Sequence, residues 1–131
     1  MIRFGVIGCG QWGPNHIRNF MSFPESSVLM CADLSSQRLS AMKNLYRSII
    51  TTHHATDILQ SADIDAVVIC TPTKTHYKLV KQSLEAGKNV LCEKPLCLKV
   101  EEAEELVESR NEQSEVTGIH KQEKKQGSVC E

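Results

Sequence analysis

The sequence predicts a doubly wound α/β fold built on a parallel sheet, and three observations predict it. Short apolar runs at Ile2 to Ile7, Ser27 to Ala32, Asp65 to Cys70 and Asn89 to Cys92 alternate with longer segments whose apolar residues recur at steps of three and four. The runs are nearly continuous rather than alternating, as strands covered on both faces are. Gly8-Cys9-Gly10-Gln11-Trp12-Gly13 follows the first run directly and opens the first helical segment. The expectation is five strands with a weak or absent sixth over residues 1–110, and a polar, weakly ordered tail over residues 111–131.

Taken in order, Met1 to Ile7 is strand one. Pro14 suits the first turn of a helix starting near Gly10, where a missing N–H costs nothing, and Ile17, Phe20 and Met21 give that helix its apolar side. Pro24 marks its exit. Strand two ends at Asp33. Ser35 can cap the next helix, with Leu39, Met42, Leu45, Tyr46 and Ile49 expected to face the sheet. A short strand over Ile49 to Thr52 and a helical turn over Thr56 to Gln60 follow. The β-branched run of Asp65 to Cys70 is stopped by Thr71-Pro72. Thr75 is the candidate cap of a helix carrying Leu79, Val80, Ser83 and Leu84, and Gly87 its left-handed terminator. Asn89 to Cys92 makes strand five, leading into Glu93-Lys94-Pro95. A last helix spans Leu96 to Arg110, with Val100, Ala103, Leu106 and Val107 on one side and glutamates on the other.

The totals narrow the function classes. A chain of 131 residues suits one domain with a real core. A net charge of -1 offers no basic surface for nucleic acid. No run approaches the ~18 apolar residues of a membrane span. The six cysteines, Cys9, Cys31, Cys70, Cys92, Cys97 and Cys130, lack a C-x-x-C pair and sit largely in apolar runs without a secretory segment before them, so reduced thiols and a cytoplasmic setting are expected. His53 and His54 have no cysteine at zinc-finger spacing. No metal site and no role for these two histidines are expected.

The glycine-rich turn carries the chemistry. Gly8 permits the tight turn, Gly10 lets main chain approach phosphate without a Cβ in the way, and Gly13 lets the helix pack on the strand. The helix start offers orphan N–H donors and a positive dipole end, worth about 0.3–1 kcal/mol per favourable charge at an exposed terminus. Asp33, twenty residues after Gly13, stands where a carboxylate accepts both ribose hydroxyls of an adenosine; its other reading is a solvated turn residue or N-cap before Ser35. Together these point to a dinucleotide, with NAD favoured because Asp33 repels a 2′-phosphate and with Arg38 as a possible route to NADP. S-adenosylmethionine also suits an acidic residue after strand two, but three close glycines favour a pyrophosphate.

Gly8 to Gly13, Asp33, Cys70-Thr71-Pro72 with His76 downstream, and Glu93-Lys94-Pro95, in this order, resemble the Gfo/Idh/MocA oxidoreductases over roughly Met1 to Glu108. Gln11 to Phe20 looks like the branch acting on nucleotide-linked amino sugars, such as the UDP-N-acetylglucosamine 3-dehydrogenases. The resemblance implies an N-terminal Rossmann domain, NAD or NADP as cofactor, and reversible hydride transfer at a sugar, polyol or nucleotide-sugar carbon. It matches Gly8, Gly10 and Gly13 to the pyrophosphate turn, Asp33 to the ribose, Thr71 and Pro72 to the nicotinamide half, and Lys94 to the lysine that hydrogen-bonds the reacting hydroxyl. Gln11, Trp12, Arg38, His76 and Glu93 complete the candidate cofactor site.

Each of these has a plainer reading. Lys94 at the carboxyl end of strand five can stabilise alkoxide character, or be a surface lysine paired with Glu93. His76 can orient the loop after Pro72, touch the cofactor, or simply be solvated in a first helical turn. Trp12 can cover phosphates or fill space beside helix one. The family's substrate domain, which supplies the partner of the lysine, is expected to be missing, as in a truncated or frameshifted product. A non-catalytic NAD(H)-binding module acting in a complex is the competing reading. The uncovered sheet edge is a candidate for pairing with another chain.

Overall fold

A computed structural model describes residues 1–92 and 100–113. Five strands, β1 (Ile2–Ile7), β2 (Ser26–Ala32), β3 (Ile50–Thr52), β4 (Ala66–Ile69) and β5 (Asn89–Cys92), alternate with helices α1 (Gly13–Ser22), α2 (Ser36–Leu45), α3 (Ala55–Leu59), α4 (His76–Glu85) and α5 (Val100–Gln113). The strands are parallel and lie in the order β3-β2-β1-β4-β5. The chain runs outward from β1 to β3, then returns to the other side of β1 for β4. That reversal opens a crevice at the carboxyl ends of β1 and β4, where open α/β sheets take their ligands.

Side chains alternate across the sheet and feed two apolar layers. Val6 and Val68 face Ile17, Leu39, Met42 and Ile49 beneath α1 and α2. Ile7, Val67 and Ile69 face the other way, onto Ile58, Val80, Leu84 and Leu106 beneath α3, α4 and α5. Ile17, Ile58, Leu84 and Leu106 are wholly buried, each burial favouring the fold by about 1.5–3 kcal/mol. Lys88, largely buried before β5, donates its ammonium to the carbonyls of Ser61 and Ile64 at 2.6 and 2.7 Å, joining the approach to β5 to the loop before β4.

The five strands and five helices fall where the sequence puts them, with local differences that have physical causes. α1 begins at Gly13 rather than near Gly10, because Gly10 to Trp12 form the bend and the His16 N–H reaches the Trp12 carbonyl at 3.1 Å. Pro14 remains in the first turn. α2 stops at Leu45, which is exposed, so Leu45 does not face the sheet; Ile49 is buried from the loop that follows. Ser35 does cap α2, accepting from the Arg38 N–H at 3.2 Å. Thr75 does not cap α4: its hydroxyl turns back to the Pro72 carbonyl at 2.7 Å, within a 3-10 turn over Thr73–Thr75. Gly87 ends α4 with φ of +78°, as expected. The final helix is described over Val100–Gln113, three residues past the expected end at Arg110, and its expected first residues, 96–99, lie outside the described residues. Residues 111–113 of the expected tail are therefore helical, because the helix runs on past Arg110, and residues 114–131 lie outside the described residues.

Candidate functional site

The glycine turn is set by backbone sterics. Gly8 has φ of +100°, a conformation that side-chain-bearing residues avoid, and a Cβ there would lie 2.7 Å from the Cys70 carbonyl oxygen. The Gly8 N–H is tied to the Ala32 carbonyl at 2.8 Å, so the turn is anchored to β2 as it leaves β1. A Cβ on Gly13 would meet the Gly8 carbonyl oxygen at 2.0 Å, so α1 reaches this close to β1 because nothing projects there. α1 carries no side-chain cap and no acidic residue in its first turn. Among the described residues no side chain caps its leading amides or neutralises the dipole end, an arrangement suited to an anion.

Asp33 is neither a solvated turn residue nor the cap of α2. Its carboxylate is 8 % exposed. One oxygen accepts from the Cys9 N–H in the glycine turn at 2.7 Å and the other from the Ser35 N–H at 2.8 Å. The Asp33 N–H donates to the Thr52 carbonyl at 3.1 Å. Arg38, one turn into α2, brings its guanidinium to 3.9 Å from the same carboxylate and 3.3 Å from where a Gly10 Cβ would lie, so it roofs the turn. Below, the Cys31 thiol and then burial raise the Cys9 thiol well above the ordinary thiol range, which keeps it uncharged at neutral pH.

Thr71 and Pro72 follow β4 and lie beside the turn, the Thr71 methyl 3.1 Å from where a Gly8 Cβ would stand. The Thr71 and Thr75 hydroxyls are 2.6 Å apart. His76 is 1 % exposed, so it is not the solvated first-turn residue that its position suggests. Its Nε2 lies 2.7 Å from the Thr71 carbonyl, which can only accept, so Nε2 carries the proton. Trp12 is 54 % exposed over the bend and does not fill space beside α1; Gln11 next to it is exposed as well.

Gly8, Gly10, Gly13, Asp33, Arg38, Thr71 and Pro72 thus converge at the carboxyl ends of β1, β2 and β4. Glu93 and Lys94 lie outside the described residues. Two participants escaped sequence reasoning. Leu34, 90 % exposed directly after Asp33, offers apolar surface beside the carboxylate. His53, after β3, reaches the Asp33 carbonyl and the Ser36 hydroxyl at 3.2 Å each. No periodicity marks either residue; what defines them is contact between the ends of separate strands.

The family model described as the oxidoreductase family with an NAD-binding Rossmann fold, GFO_IDH_MocA, matches residues 2–121. The chain belongs to the Gfo/Idh/MocA oxidoreductase family. Relatives include inositol 2-dehydrogenase 2 of Paenarthrobacter aurescens, 40 % identical over 107 residues (81 % of this chain, 32 % of the relative), and inositol 2-dehydrogenase of Rhizobium meliloti, 38 % identical over 100 residues (76 % and 30 %). Among solved structures, a 3-ketoreductase from Actinomadura kijaniata in complex with NADP and TDP-benzene superposes with a TM-score of 0.79 at 28 % identity, covering 86 % of this chain and 34 % of that one. Apo scyllo-inositol dehydrogenase from Lactobacillus casei superposes with a TM-score of 0.82 at 25 % identity, covering 92 % and 37 %. The chain spans about a third of the length of the curated relatives it matches. The Rossmann fold and the NAD-binding family expected from the sequence are therefore correct. Among the described residues, no helix is long and apolar enough to cross a membrane.

Proposed function

We propose that residues 1–110 form the dinucleotide-binding domain of an oxidoreductase that moves hydride between NAD and a sugar or polyol hydroxyl, with residues 111–131 a polar extension. The observation that carries this is the uncapped, acid-free start of α1 behind a turn whose Gly13 lies against the Gly8 carbonyl, a cradle that a single Cβ would fill. A pyrophosphate fits that donor set, and a cation does not.

In this reading the amides at Gly10, Gln11, Trp12 and Gly13 hold the phosphates, and Asp33 accepts the ribose hydroxyls of the adenosine while Leu34 packs on its base. Arg38 closes over the phosphates. Thr71 and Pro72 line the nicotinamide half, with His76 fixing the Thr71 carbonyl. When bound, the nicotinamide accepts or returns the hydride. Lys94, with Glu93 beside it in the sequence, holds the reacting hydroxyl and stabilises its oxygen as negative charge develops. Inositol dehydrogenases among the relatives support a polyol substrate. The Gln11 to Phe20 stretch and the TDP-benzene complex of a structural relative support a nucleotide-linked sugar as the second substrate class.

Binding, not turnover, is the decisive test on this chain. Trp12 is its one tryptophan and stands at the turn, so titration with NADH should quench its fluorescence saturably. NADPH should bind more weakly because the Asp33 carboxylate faces its extra phosphate, and Asp33→Ser should narrow the gap by about tenfold. Equal affinity of the unaltered chain for both cofactors contradicts the role given to Asp33. Preference for S-adenosylmethionine over NADH ends the oxidoreductase reading.

A further inference from the structure

We propose that His53 is a positioning residue that holds the ribose-binding carboxylate in place and thereby sets the preference for NAD over NADP, an inference that rests on the dinucleotide reading of the turn. His53 directly follows β3 and is exposed. Its Nδ1 stands 3.2 Å from the Asp33 carbonyl oxygen and its Nε2 3.2 Å from the Ser36 hydroxyl. The carbonyl only accepts, so Nδ1 carries the proton and Nε2 accepts from the serine.

One ring therefore bridges both ends of the β2–α2 connection, Asp33 to Ser36. That connection presents the carboxylate, the exposed Leu34 and the cap Ser35 in sequence. A recess of about 250 Å³ opens beside Ser36 and His53, lined further by Leu39, Ser40, Lys43, Thr51 and Thr52. The Thr52 carbonyl pins the Asp33 N–H, and the imidazole pins the other end of the same residue. With both ends fixed, the carboxylate stays on the Cys9 amide, where it accepts ribose hydroxyls and opposes a 2′-phosphate. Without the imidazole, the Asp33 carbonyl loses its partner, the Asp33–Leu34 peptide gains freedom to rotate, and the carboxylate loses its fixed direction.

The test is the ratio of NADH to NADPH affinity, read by Trp12 quenching on the 131-residue chain, for the unaltered protein, His53→Ala, His53→Asn and Ser36→Ala. His53→Ala should weaken NADH about three- to tenfold, the range expected for one or two lost hydrogen bonds. NADPH should weaken less, so that the ratio falls. His53→Asn keeps a donor near the Nδ1 position and should restore the ratio. Ser36→Ala should fall between the unaltered protein and His53→Ala. If His53→Ala weakens both cofactors equally, or if Asn fails to restore the ratio, His53 is a structural residue and the assignment is overturned. If the unaltered chain does not bind NADH, the dinucleotide reading itself fails, which is a different result from binding with an unchanged ratio.

Discussion

A Cβ built on Gly13 lies 2.0 Å from the Gly8 carbonyl oxygen, and that oxygen cannot retreat without disturbing the Gly8 N–H bond to Ala32. Gly13→Ala is therefore expected to cost about 1–3 kcal/mol through forced displacement of α1, and to abolish the quench of Trp12 by NADH. A thermal melt and the titration check it together. Unchanged melting with unchanged affinity would show that α1 has room that the geometry denies it. The glycine spacing in the sequence already pointed to this contact. His76 was harder, because a histidine in a first helical turn is equally compatible with solvent, and only the fold brings the Thr71 carbonyl to it. His53 was illegible for the same reason: its partners, Asp33 and Ser36, belong to another strand and another helix.

Between elements, β1 and β4 are joined at their starts by a two-way contact. The Asp65 N–H donates to the Arg3 carbonyl at 2.8 Å, and the Asp65 carboxylate accepts from the Arg3 N–H at 2.9 Å and from its Nε at 3.4 Å. The Arg3 backbone N–H, and after it the Arg3 side chain, hold the Asp65 carboxyl below its ordinary value of 3.8. A carboxyl whose pKa falls on folding contributes stability above its unfolded pKa, and that contribution fades as pH drops through the lower folded value. Asp65→Asn should cost about 0.5–1 kcal/mol at pH 7, since water screens the exposed ion pair. The difference should close as the pH is taken below about 4. Urea melts at neutral and acid pH measure it, and an undiminished gap at low pH would refute the linkage. The strands were readable as elements because continuous apolar runs mean burial on both faces. Helix ends were less so: the bend over Gly10 to Trp12 delays α1, and a helical period running through Leu45 to Ile49 does not reveal that the chain leaves the helix between them.

At the scale of the molecule, the sheet separates two apolar layers, and the glycine turn, Asp33 and Arg38 belong to the side built by α1 and α2. Within the described residues β3 and β5 are each paired along one edge. Strand edges with free N–H and C=O groups recruit other strands, so we expect the sedimentation mass of the chain to rise with concentration; a constant monomer mass would exclude edge pairing. The doubly wound order itself followed from the alternation of apolar runs and amphipathic segments. The role proposed for Lys94 has no such support in the fold, because residue 94 lies outside the described residues and the chain spans about a third of the relatives' length.

Both oxygens of the Asp33 side chain, its amide and its carbonyl are each already occupied by a neighbour. The receptacle proposed for adenosine is accordingly arranged before any visitor arrives, and the entropy of arranging it was spent when the polypeptide folded. Recognition at this end is lock before key: an incoming nucleotide has only to exchange partners, without first remaking the wall it settles against.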